Sequence, residues 1–341
     1  MIRFILAALM LVTGPAVAQT PPHPLVIAHR GASGERPEHT RAAYDLAIEQ
    51  GADVIEPDLV LSKDGHLIVR HENEISGTTD VADHPEFAAR RTTRTIDGVV
   101  TTGWFTEDFT LAELETLRAR ERLATLRPGN TAFADETILS FQQVIDIARA
   151  ATARTGRVIG VAPELKHPTY FASIGLPMEP PFLEALRMNA LMAADSPIMV
   201  QCFEVETLRS LARSTDAPLL QLMAASGGPA DQPGMTYAAM ATPDGLAEIA
   251  TYADAIGVET AMILPRDASG ASTTPTPLIE DAHAAGLKVV AWTFRAEDPF
   301  LPTDYRGDLT GWLKRFYALG IDAVFSDFPG VAVEARTHPL P

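Results

Sequence analysis

Short apolar runs alternate with amphipathic stretches along most of the chain. Eight runs rich in branched aliphatic residues are bounded by turn residues and have the length of buried strands: Pro24–His29, Val54–Val60, Val158–Glu164, Pro197–Phe203, Pro218–Met223, Ala253–Val258, Lys288–Phe294 and Asp322–Ser326. Helical periodicity marks most of the stretches between them, for example Thr40–Gln50, Ser140–Ala153, Pro180–Ala194, Glu204–Ser214, Pro275–Ala285 and Leu309–Leu319. Because strands that are apolar on both faces need a covering layer on each side, the alternation predicts a parallel sheet flanked by helices.

Capping residues mark the ends of several of these predicted helices. Thr40 and Ser140 are suited to cap helix N-termini, and Gly51, Gly286 and Gly320 follow helices as C-terminal glycines do. Eight strand–helix units predict an α/β fold of the (β/α)8 TIM-barrel type. An open, doubly wound sheet of six or seven strands would give much the same pattern, so that alternative stays open.

One region departs from the alternation, directly after the second predicted strand. Leu67–Arg70 is typical of the returning arm of a short hairpin, and a long polar segment, about 72–136, follows it. A single short helix is predicted there, at Leu111–Leu123. Long connections inside a barrel are usually functional or disordered, and the aromatic pair Trp104 and Phe105 favours an ordered lid. We therefore expect an insertion on the side of the barrel where active sites lie.

The first 18 residues have the organisation of a cleaved signal peptide. Arg3 precedes an apolar run, Phe4–Val12, which is too short to span a bilayer, and Ala16-Val17-Ala18 offers a cleavage site between small residues. The sequence thus predicts a mature chain, 19–341, that forms one barrel domain and is periplasmic or secreted. A membrane anchor or a buried helix is the alternative interpretation of this segment.

Composition narrows the class of protein. The chain is 46% hydrophobic, enough for a substantial core, and its formal net charge is −17. Such an acidic chain is a poor candidate for binding nucleic acid, which calls for a basic face, although a few local cations could still bind a small anionic substrate. Cys202 is the one cysteine, so no intramolecular disulfide can form. No later stretch is long and apolar enough to predict stable membrane insertion.

Carboxylates at the ends of predicted strands indicate a cation site. Glu56 and Asp58 are two residues apart on a strand, so their side chains face the same way, and Pro57 between them suggests a strand end. Glu164 and Lys166 repeat this spacing on the third strand. Three carboxylates suit a hard divalent ion such as Ca²⁺ or Mg²⁺ better than zinc. The alternatives are a solvated acid pair on a turn and an exposed Glu164–Lys166 ion pair.

Two histidines and an arginine lie at the same predicted end of the barrel. The first strand runs into His29, Arg30 and Gly31, and His71 ends the hairpin arm. Arginine offers a planar fork suited to phosphate, glycine lets the backbone approach a ligand, and histidine exchanges protons near neutral pH. A single histidine is more often structural than catalytic, and it is the shared location with the acids that favours a site.

With these motifs the sequence resembles the glycerophosphodiester phosphodiesterases, and in particular their exported bacterial branch. The matching motifs occur in fixed order over essentially the whole mature chain: His29-Arg30-Gly31-Ala32, Arg36-Pro37-Glu38-His39-Thr40, Gly51-Ala52-Asp53, Glu56-Pro57-Asp58, Lys63-Asp64-Gly65, His71-Glu72, Glu164-Leu165-Lys166, Trp292-Thr293 and Ser326-Asp327-Phe328-Pro329. Two positions depart from the family's usual pattern. The family often has asparagine where His39 stands and aspartate where Glu72 stands, and the second change affects how His71 is oriented.

The resemblance implies a metal-dependent hydrolase that cleaves glycerophosphodiesters to glycerol 3-phosphate and an alcohol. It implies a pair of general acid and base histidines, three acids that hold the cation and two side chains that bind the phosphoryl oxygens: His29 and His71; Glu56, Asp58 and Glu164; Arg30 and Lys166. Phe203 and Trp292, at strand ends, would pack against the glycerol carbons or belong to the core.

Two competing functions stay open from the sequence. One is a phospholipase-like barrel that acts on intact lipids, as sphingomyelinase D or phosphatidylinositol-cleaving enzymes do. The other is an exported binding protein that captures a phosphodiester without hydrolysing it. The sequence leaves open the head group, the physiological metal, which histidine is the acid, the role of segment 72–136 and the oligomeric state.

Overall fold

The computed structural model describes residues 23–337, so the predicted signal peptide lies outside the described residues. The strands are β1 (Leu25–His29), β2 (Val54–Glu56), β3 (Asp58–Leu61), β4 (Leu67–Val69), β5 (Thr92–Ile96), β6 (Val99–Gly103), β7 (Gly160–Val161), β8 (Glu164–Leu165), β9 (Val200–Cys202), β10 (Leu219–Met223), β11 (Ala255–Glu259), β12 (Lys288–Phe294) and β13 (Ala323–Ser326). The helices are α1 (Arg41–Glu49), α2 (Leu111–Leu114), α3 (Phe141–Thr155), α4 (Pro168–Ser173), α5 (Glu179–Met188), α6 (Val205–Ala212), α7 (Tyr237–Met240), α8 (Pro243–Ile249), α9 (Thr260–Ile263), α10 (Leu278–Ala284), α11 (Leu309–Ala318) and α12 (Pro329–Thr337).

The main sheet is TIM-barrel-like, as the alternating pattern predicts. Strand β1 pairs in parallel with β2 on one side and with β13, the last strand of the chain, on the other. Strands β9 to β13 each pair in parallel with the next. The second and third barrel strands are each divided in two, as β2 with β3 and β7 with β8, and they pair through both halves. A doubly wound open sheet does not pair its first strand with its last, so the doubly wound alternative is wrong.

Pro57 lies inside the second barrel strand, whereas the sequence suggested a strand end. The strand continues as Asp58–Leu61, and the parallel ladder runs through the interruption. Ala162 donates its backbone N–H to the carbonyl of Ile55 (3.0 Å), and Glu164 donates to that of Pro57 (2.9 Å). Proline removes a donor but keeps its carbonyl, so the ladder loses one bond without ending.

The core has two parts, one inside the barrel and one between the barrel and its helices. The smaller cluster contains inward-facing residues from different strands: Ile27, Ala162, Leu220, Leu222, Ala255, Val290, Ala323 and Phe325. The larger cluster joins the outer faces of the strands to the buried faces of the helices. Complete burial of one such aliphatic side chain contributes roughly 1.5–3 kcal/mol, so this packing is what stabilises a chain without disulfides.

The predicted caps are present. The Thr40 side chain accepts a hydrogen bond from the backbone of the third following residue, and Ser140 does the same at the start of α3. Gly51, Gly286 and Gly320 have φ of 95°, 84° and 85°. These left-handed angles are what the chain needs to turn away from a helix, and glycine adopts them without a steric penalty.

Two predicted helices are shorter than expected. The helix predicted at Leu111–Leu123 stops at Leu114, because Arg118 donates its backbone N–H to the Asp80 side chain (2.7 Å) and neighbouring residues form β-bridges. The helix predicted at Pro180–Ala194 ends at Met188, since Ala190 has a left-handed φ of 50°. Tertiary contacts override local periodicity in the first case, and the backbone turns in the second.

Segment 72–136 is ordered around a two-stranded antiparallel sheet, β5–β6, with Asp97 and Gly98 at its turn. Trp104 and Phe105 are buried, and the Trp104 indole donates to the carbonyl of Phe87 (2.7 Å). Among the described helices, none combines the length and the hydropathy needed to cross a bilayer.

Candidate active site

A cavity of about 580 Å³ opens where the barrel strands end, within the size range of small-molecule sites. Eight of the nine residues singled out in the sequence line it, from six different strand ends or connections: His29, Arg30, Glu56, His71, Glu164, Lys166, Phe203 and Trp292. The ninth, Asp58, is 1% exposed and lies beside Glu56 and Glu164. The structure thus brings together side chains that are up to 263 positions apart in the chain.

The end of β1 is shaped by a sharp turn. Arg30 has φ 59° and Gly31 has φ 84°, so two consecutive left-handed residues redirect the chain after His29. A Cβ on Gly31 would lie 2.7 Å from Ala43, so only glycine allows this close approach to α1. The turn leaves the Arg30 backbone N–H donating to Glu56 Oε2 (2.7 Å). The first motif is therefore tied to the first acid of the cluster.

The three predicted acids meet. Glu56, Asp58 and Glu164 each offer a carboxylate oxygen, and these atoms lie within 4.8 Å of one another. All three residues are buried, so neither alternative of exposed acids holds. Burial, followed by the negative charge of Asp58, raises the pKa of Glu164 to about 8 despite the nearby Lys166. Like charges held this close without water repel one another unless a cation lies among them.

The acid cluster fits a divalent cation on a second ground. Asp58 Oδ1 is buried and has no hydrogen-bond partner within residues 23–337. A buried carboxylate oxygen normally has a partner, and here the three acids provide the all-oxygen ligands that hard divalent ions prefer. The residues present therefore form a candidate divalent-cation site, without indicating which ion it holds.

His39 is a site residue that the sequence marks only as a departure from the asparagine usual in the family. It is fully buried, has φ 61°, and its Nε2 donates to Asp58 Oδ2 (2.9 Å) while Nδ1 contacts the Tyr44 hydroxyl (2.9 Å). The side chain thus fixes one oxygen of Asp58, while the other, Oδ1, is the one without a hydrogen-bond partner in the described residues. Its position two residues after Pro37 carried no signal for this role.

Arg30 and Lys166 are buried cations with fixed positions. Arg30 Nη1 donates to both oxygens of Glu38 (3.2 Å each), and its Nε lies 3.4 Å from Asp58 Oδ2. Lys166 Nζ donates to Glu164 Oε1 (2.8 Å) and to His71 Nε2 (3.1 Å). Each has several donors and lies on the cavity wall, which is the arrangement needed to bind phosphoryl oxygens.

The two histidines each pair with a carboxylate. His29 Nδ1 donates to Asp327 Oδ1 (2.6 Å), and His71 Nδ1 donates to Glu72 Oε1 (2.8 Å). The longer side chain at position 72 thus still reaches the imidazole, which answers the question raised by this departure from the family pattern. Burial, then the Arg30 cation, lowers the pKa of His29 to about 4, so it is neutral at pH 7.

Asp327 is held in turn by two arginines. Its Oδ2 accepts from Arg127 Nη2 (2.5 Å) and from Arg295 Nε (3.0 Å). Arg127 belongs to segment 72–136, is 6% exposed, and also donates to Glu297 (2.5 Å). A strand-end motif had pointed to Asp327 without assigning it a role. The sequence around Arg127 gives no sign of this role, because a contact with a residue 200 positions away leaves no local periodicity.

Phe203 and Trp292 form an apolar wall of the cavity. Their ring centroids are 5.8 Å apart in an edge-to-face arrangement, and Lys166 Nζ lies 5.7 Å from the Phe203 centroid. Both side chains are only partly buried and line the cavity, so they are available to a ligand.

Backbone strain concentrates at this site. Of the five non-glycine residues with positive φ in the described part of the chain, three are Arg30, His39 and His167, and a fourth, Asp97, contacts His167. Such conformations cost about 1–3 kcal/mol each and persist where the surrounding structure imposes them, as it commonly does at functional sites.

A sequence model of the glycerophosphoryl diester phosphodiesterase family matches residues 29–331, nearly all of the described chain. The chain belongs to this family. The glycerophosphodiester phosphodiesterase GDPD6 of Arabidopsis thaliana is 36% identical over 324 residues, which cover 90% of this chain and 84% of the plant protein. That of Haemophilus influenzae is 28% identical and covers 91% of this chain and 89% of its own length.

A solved structure shares the fold of this family member. The phosphodiesterase of Oleispira antarctica, determined in complex with the product sn-glycerol-3-phosphate, superposes with a TM-score of 0.62 at 22% identity, covering 93% of this chain and 98% of its own. Family membership makes the chain an enzyme of the phosphodiesterase class and removes the case for a non-catalytic binding protein. The roles of the individual site residues stay predictions.

Proposed function

We propose that the protein hydrolyses glycerophosphodiesters, such as glycerophosphocholine or glycerophosphoethanolamine, to glycerol 3-phosphate and the free alcohol. The observation that carries this proposal is the arrangement around one cavity of a buried three-carboxylate cluster, two buried cations and two carboxylate-paired imidazoles. The product named in the Oleispira antarctica complex is the one this reaction would release.

The chemistry assigned to the residues follows from their contacts. Arg30 and Lys166 bind the phosphoryl oxygens and neutralise their charge. A divalent ion held by Glu56, Asp58 and Glu164, in our proposal Ca²⁺ or Mg²⁺, supplies further positive charge when bound. Phe203 and Trp292 pack against the glycerol carbons.

Proton transfer falls to the two histidines. One imidazole Nε2 accepts the proton of the neighbouring glycerol hydroxyl as that oxygen attacks phosphorus. The other imidazole acts in its protonated form, which the anionic phosphodiester favours when it is bound. Its Nε2 gives a proton to the departing alcohol oxygen as the bond between that oxygen and phosphorus breaks, and it takes a proton back from the water of the second step. Water then opens the cyclic phosphodiester to glycerol 3-phosphate. His29 and His71 suit this exchange because each Nδ1 is committed to a carboxylate, so Nε2 is the nitrogen that exchanges the proton. Each Nε2 lies beside a phosphate-binding cation, Arg30 Nε (3.3 Å) for His29 and Lys166 Nζ (3.1 Å) for His71.

A coupled assay tests the proposal. Release of glycerol 3-phosphate from glycerophosphocholine and glycerophosphoethanolamine is followed with a glycerol-3-phosphate dehydrogenase, before and after chelation. We expect turnover that chelation abolishes and added Ca²⁺ or Mg²⁺ restores. Full activity after exhaustive removal of metal would contradict the role of the acid cluster. Faster hydrolysis of an intact lysolipid than of glycerophosphocholine would favour a phospholipase instead.

We further propose that the protein is exported and acts in the periplasm or outside the cell, as in the exported bacterial branch of the family. The support is the N-terminal sequence, with Arg3, the apolar run Phe4–Val12 and the small residues before Gln19. Determining the N-terminus of the protein from its native host tests this directly. A mature chain that begins near Gln19 is expected, and an uncleaved Met1 would contradict it.

A further inference from the structure

The pair formed by His71 and Glu72 continues into a chain of hydrogen bonds that leads away from the cavity. Glu72 Oε1 accepts from His71 Nδ1 (2.8 Å), and Glu72 Oε2 lies 3.0 Å from His167 Nε2. His167 Nδ1 lies 2.6 Å from Asp97 Oδ2. One carboxylate therefore lies between two imidazoles, and the second imidazole lies between two carboxylates.

The far end of this chain is the tip of the β5–β6 hairpin. Asp97 and Gly98 form the turn between the two strands and both have left-handed φ, 49° and 82°. The hairpin belongs to segment 72–136, whereas His167 directly follows Lys166 at the end of the third barrel strand. The contact thus joins the tip of a long connection to the barrel beside the candidate cation site.

His167 is held in a conformation that serves this contact. Its φ is 53°, in the left-handed region that a residue with a Cβ rarely adopts, and Pro168 begins α4 immediately after it. Only 15% of its side-chain surface is exposed. Although burial opposes the charged form, the hydrogen bonds to Asp97 and Glu72 raise the pKa of His167 to about 9. The ring is an imidazolium at pH 7, so both of its nitrogens donate.

Glu72 needs such a partner to stay in place. Half of its side-chain surface is exposed, and a free glutamate in that setting would sample several rotamers. With Oε2 held by His167, Oε1 is available to accept from His71 Nδ1. This fixes the His71 tautomer with its proton on Nδ1 and leaves the Nε2 lone pair directed at Lys166 and the cavity.

We propose that His167, held by Asp97, is a positioning residue that fixes Glu72 and through it the orientation and tautomer of His71, so that the β5–β6 hairpin is a working part of the active site. The inference rests on the proposed two-histidine function. It also accounts for glutamate at position 72, because the longer side chain spans from His71 to His167, which an aspartate beside His71 would have less reach to do.

The test compares His167→Gln and Asp97→Asn with the wild-type enzyme. Asparagine tolerates the left-handed turn, so Asp97→Asn removes the charge without adding strain. We expect His167→Gln to lower kcat about 10-fold, in the range found when groups that orient a reacting side chain are replaced, with KM unchanged. Asp97→Asn should act in the same direction with a smaller effect. Asp83→Asn is the matched control, since Asp83 is an exposed acid of the same segment whose carboxylate makes no hydrogen bond or ion pair within residues 23–337.

A double-mutant cycle separates positioning from a general structural effect. If His167 acts through Glu72, then His167→Gln causes no further loss of kcat in a Glu72→Ala background. Multiplicative losses in the double variant would overturn the proposal. The nitrogen chemical shifts of His71 provide a readout independent of turnover. They should report a proton on Nδ1 in the wild type and a mixture of tautomers in His167→Gln, and identical spectra would also overturn it.

The outcomes distinguish this inference from the proposed function. A wild-type enzyme that releases no glycerol 3-phosphate would refute the function itself. A wild-type enzyme that turns over, and loses activity in His71→Ala while His167→Gln keeps full kcat, would refute the positioning role alone. Thermal unfolding of each variant identifies any loss that comes from the fold.

Discussion

The two imidazole–carboxylate pairs of the site have the same chemistry in different surroundings. Asp327, which holds His29, is 2% exposed and comes from the last barrel strand, and its second oxygen is held by two arginines. Glu72, which holds His71, adjoins it in sequence and has half of its side-chain surface exposed. Segment 72–136 supports both carboxylates: its Arg127 donates to Asp327, and its Asp97 holds the His167 that contacts Glu72. We infer that the first pair contributes to stability as well as to orientation, whereas the second contributes mainly to orientation.

The largest expected effect tests whether the two histidines are equivalent in catalysis. His29→Ala and His71→Ala should each lower kcat by roughly 10²–10⁴, because each removes a proton-transfer group, with the fold unchanged by circular dichroism. His66→Ala, at an exposed turn of the hairpin before His71, is the control and should retain activity. Wild-type turnover in either active-site variant would remove that histidine from the mechanism.

The next largest effect is on the free energy of unfolding, which should fall more when Asp327 is replaced than when Glu72 is. Asp327→Asn leaves the buried Arg127 without one of its counter-charges and should lower the free energy of unfolding by about 3 kcal/mol. Glu72→Gln changes a half-exposed pair and should cost less than about 1 kcal/mol. Urea unfolding of the two variants measures the difference. Equal losses would mean that burial does not distinguish the pairs as we argue.

The pH dependence of stability should have opposite signs for His29 and His167. The folded pKa of His29, about 4, lies below its unfolded value of about 6.5, so the unfolded chain binds the proton first. Stability is therefore lost as pH falls from about 6.5 to 4, by up to roughly 3 kcal/mol. The pKa of His167 is raised to about 9, so its contribution is complete below about pH 6.5 and is lost as pH rises through 9.

The contribution of His167 should be the smaller one, about 1 kcal/mol, since its partner Glu72 is half exposed and water screens the pair. Urea unfolding from pH 4 to 10 measures both, with His29→Gln and His167→Gln as the matched variants. His29→Gln should reduce the acid slope, to which the lowered pKa of His71 also contributes, and His167→Gln should remove the alkaline slope. A wild-type curve that stays flat below pH 6.5 would contradict the assignment for His29.

The sequence was informative wherever function and fold shared a local pattern. Buried strands are recognisable in the sequence as apolar runs. Residues at the ends of these strands lie close together because parallel strands end on the same side of a barrel. This is why Glu56, Asp58 and Glu164 could be grouped before any coordinates. The missing N–H of Pro57 favours a strand end, but its carbonyl still accepts from Glu164, so the strand continues.

The residues that support the site could not be found in the same way. Arg127 and Asp97 lie in a polar segment without periodicity, and their partners are far away in the chain. His167 follows a recognised motif, but its role depends on a left-handed backbone angle that no neighbouring residue predicts. The helix predicted at Leu111–Leu123 failed for a related reason, since distant segments take the backbone groups that the helix would have used.

The bond between His29 and Asp327 joins positions 298 residues apart, across the seam where β1 meets β13. A chain released from the ribosome or a translocation channel in sequence order has its first active-site imidazole long before the carboxylate that aligns it. Contacts between residues so far apart in sequence form late in folding, because closing the long intervening loop costs conformational entropy. The enzyme should therefore be inactive until β13 and the Asp327 that follows it have been synthesised and β13 has paired with β1.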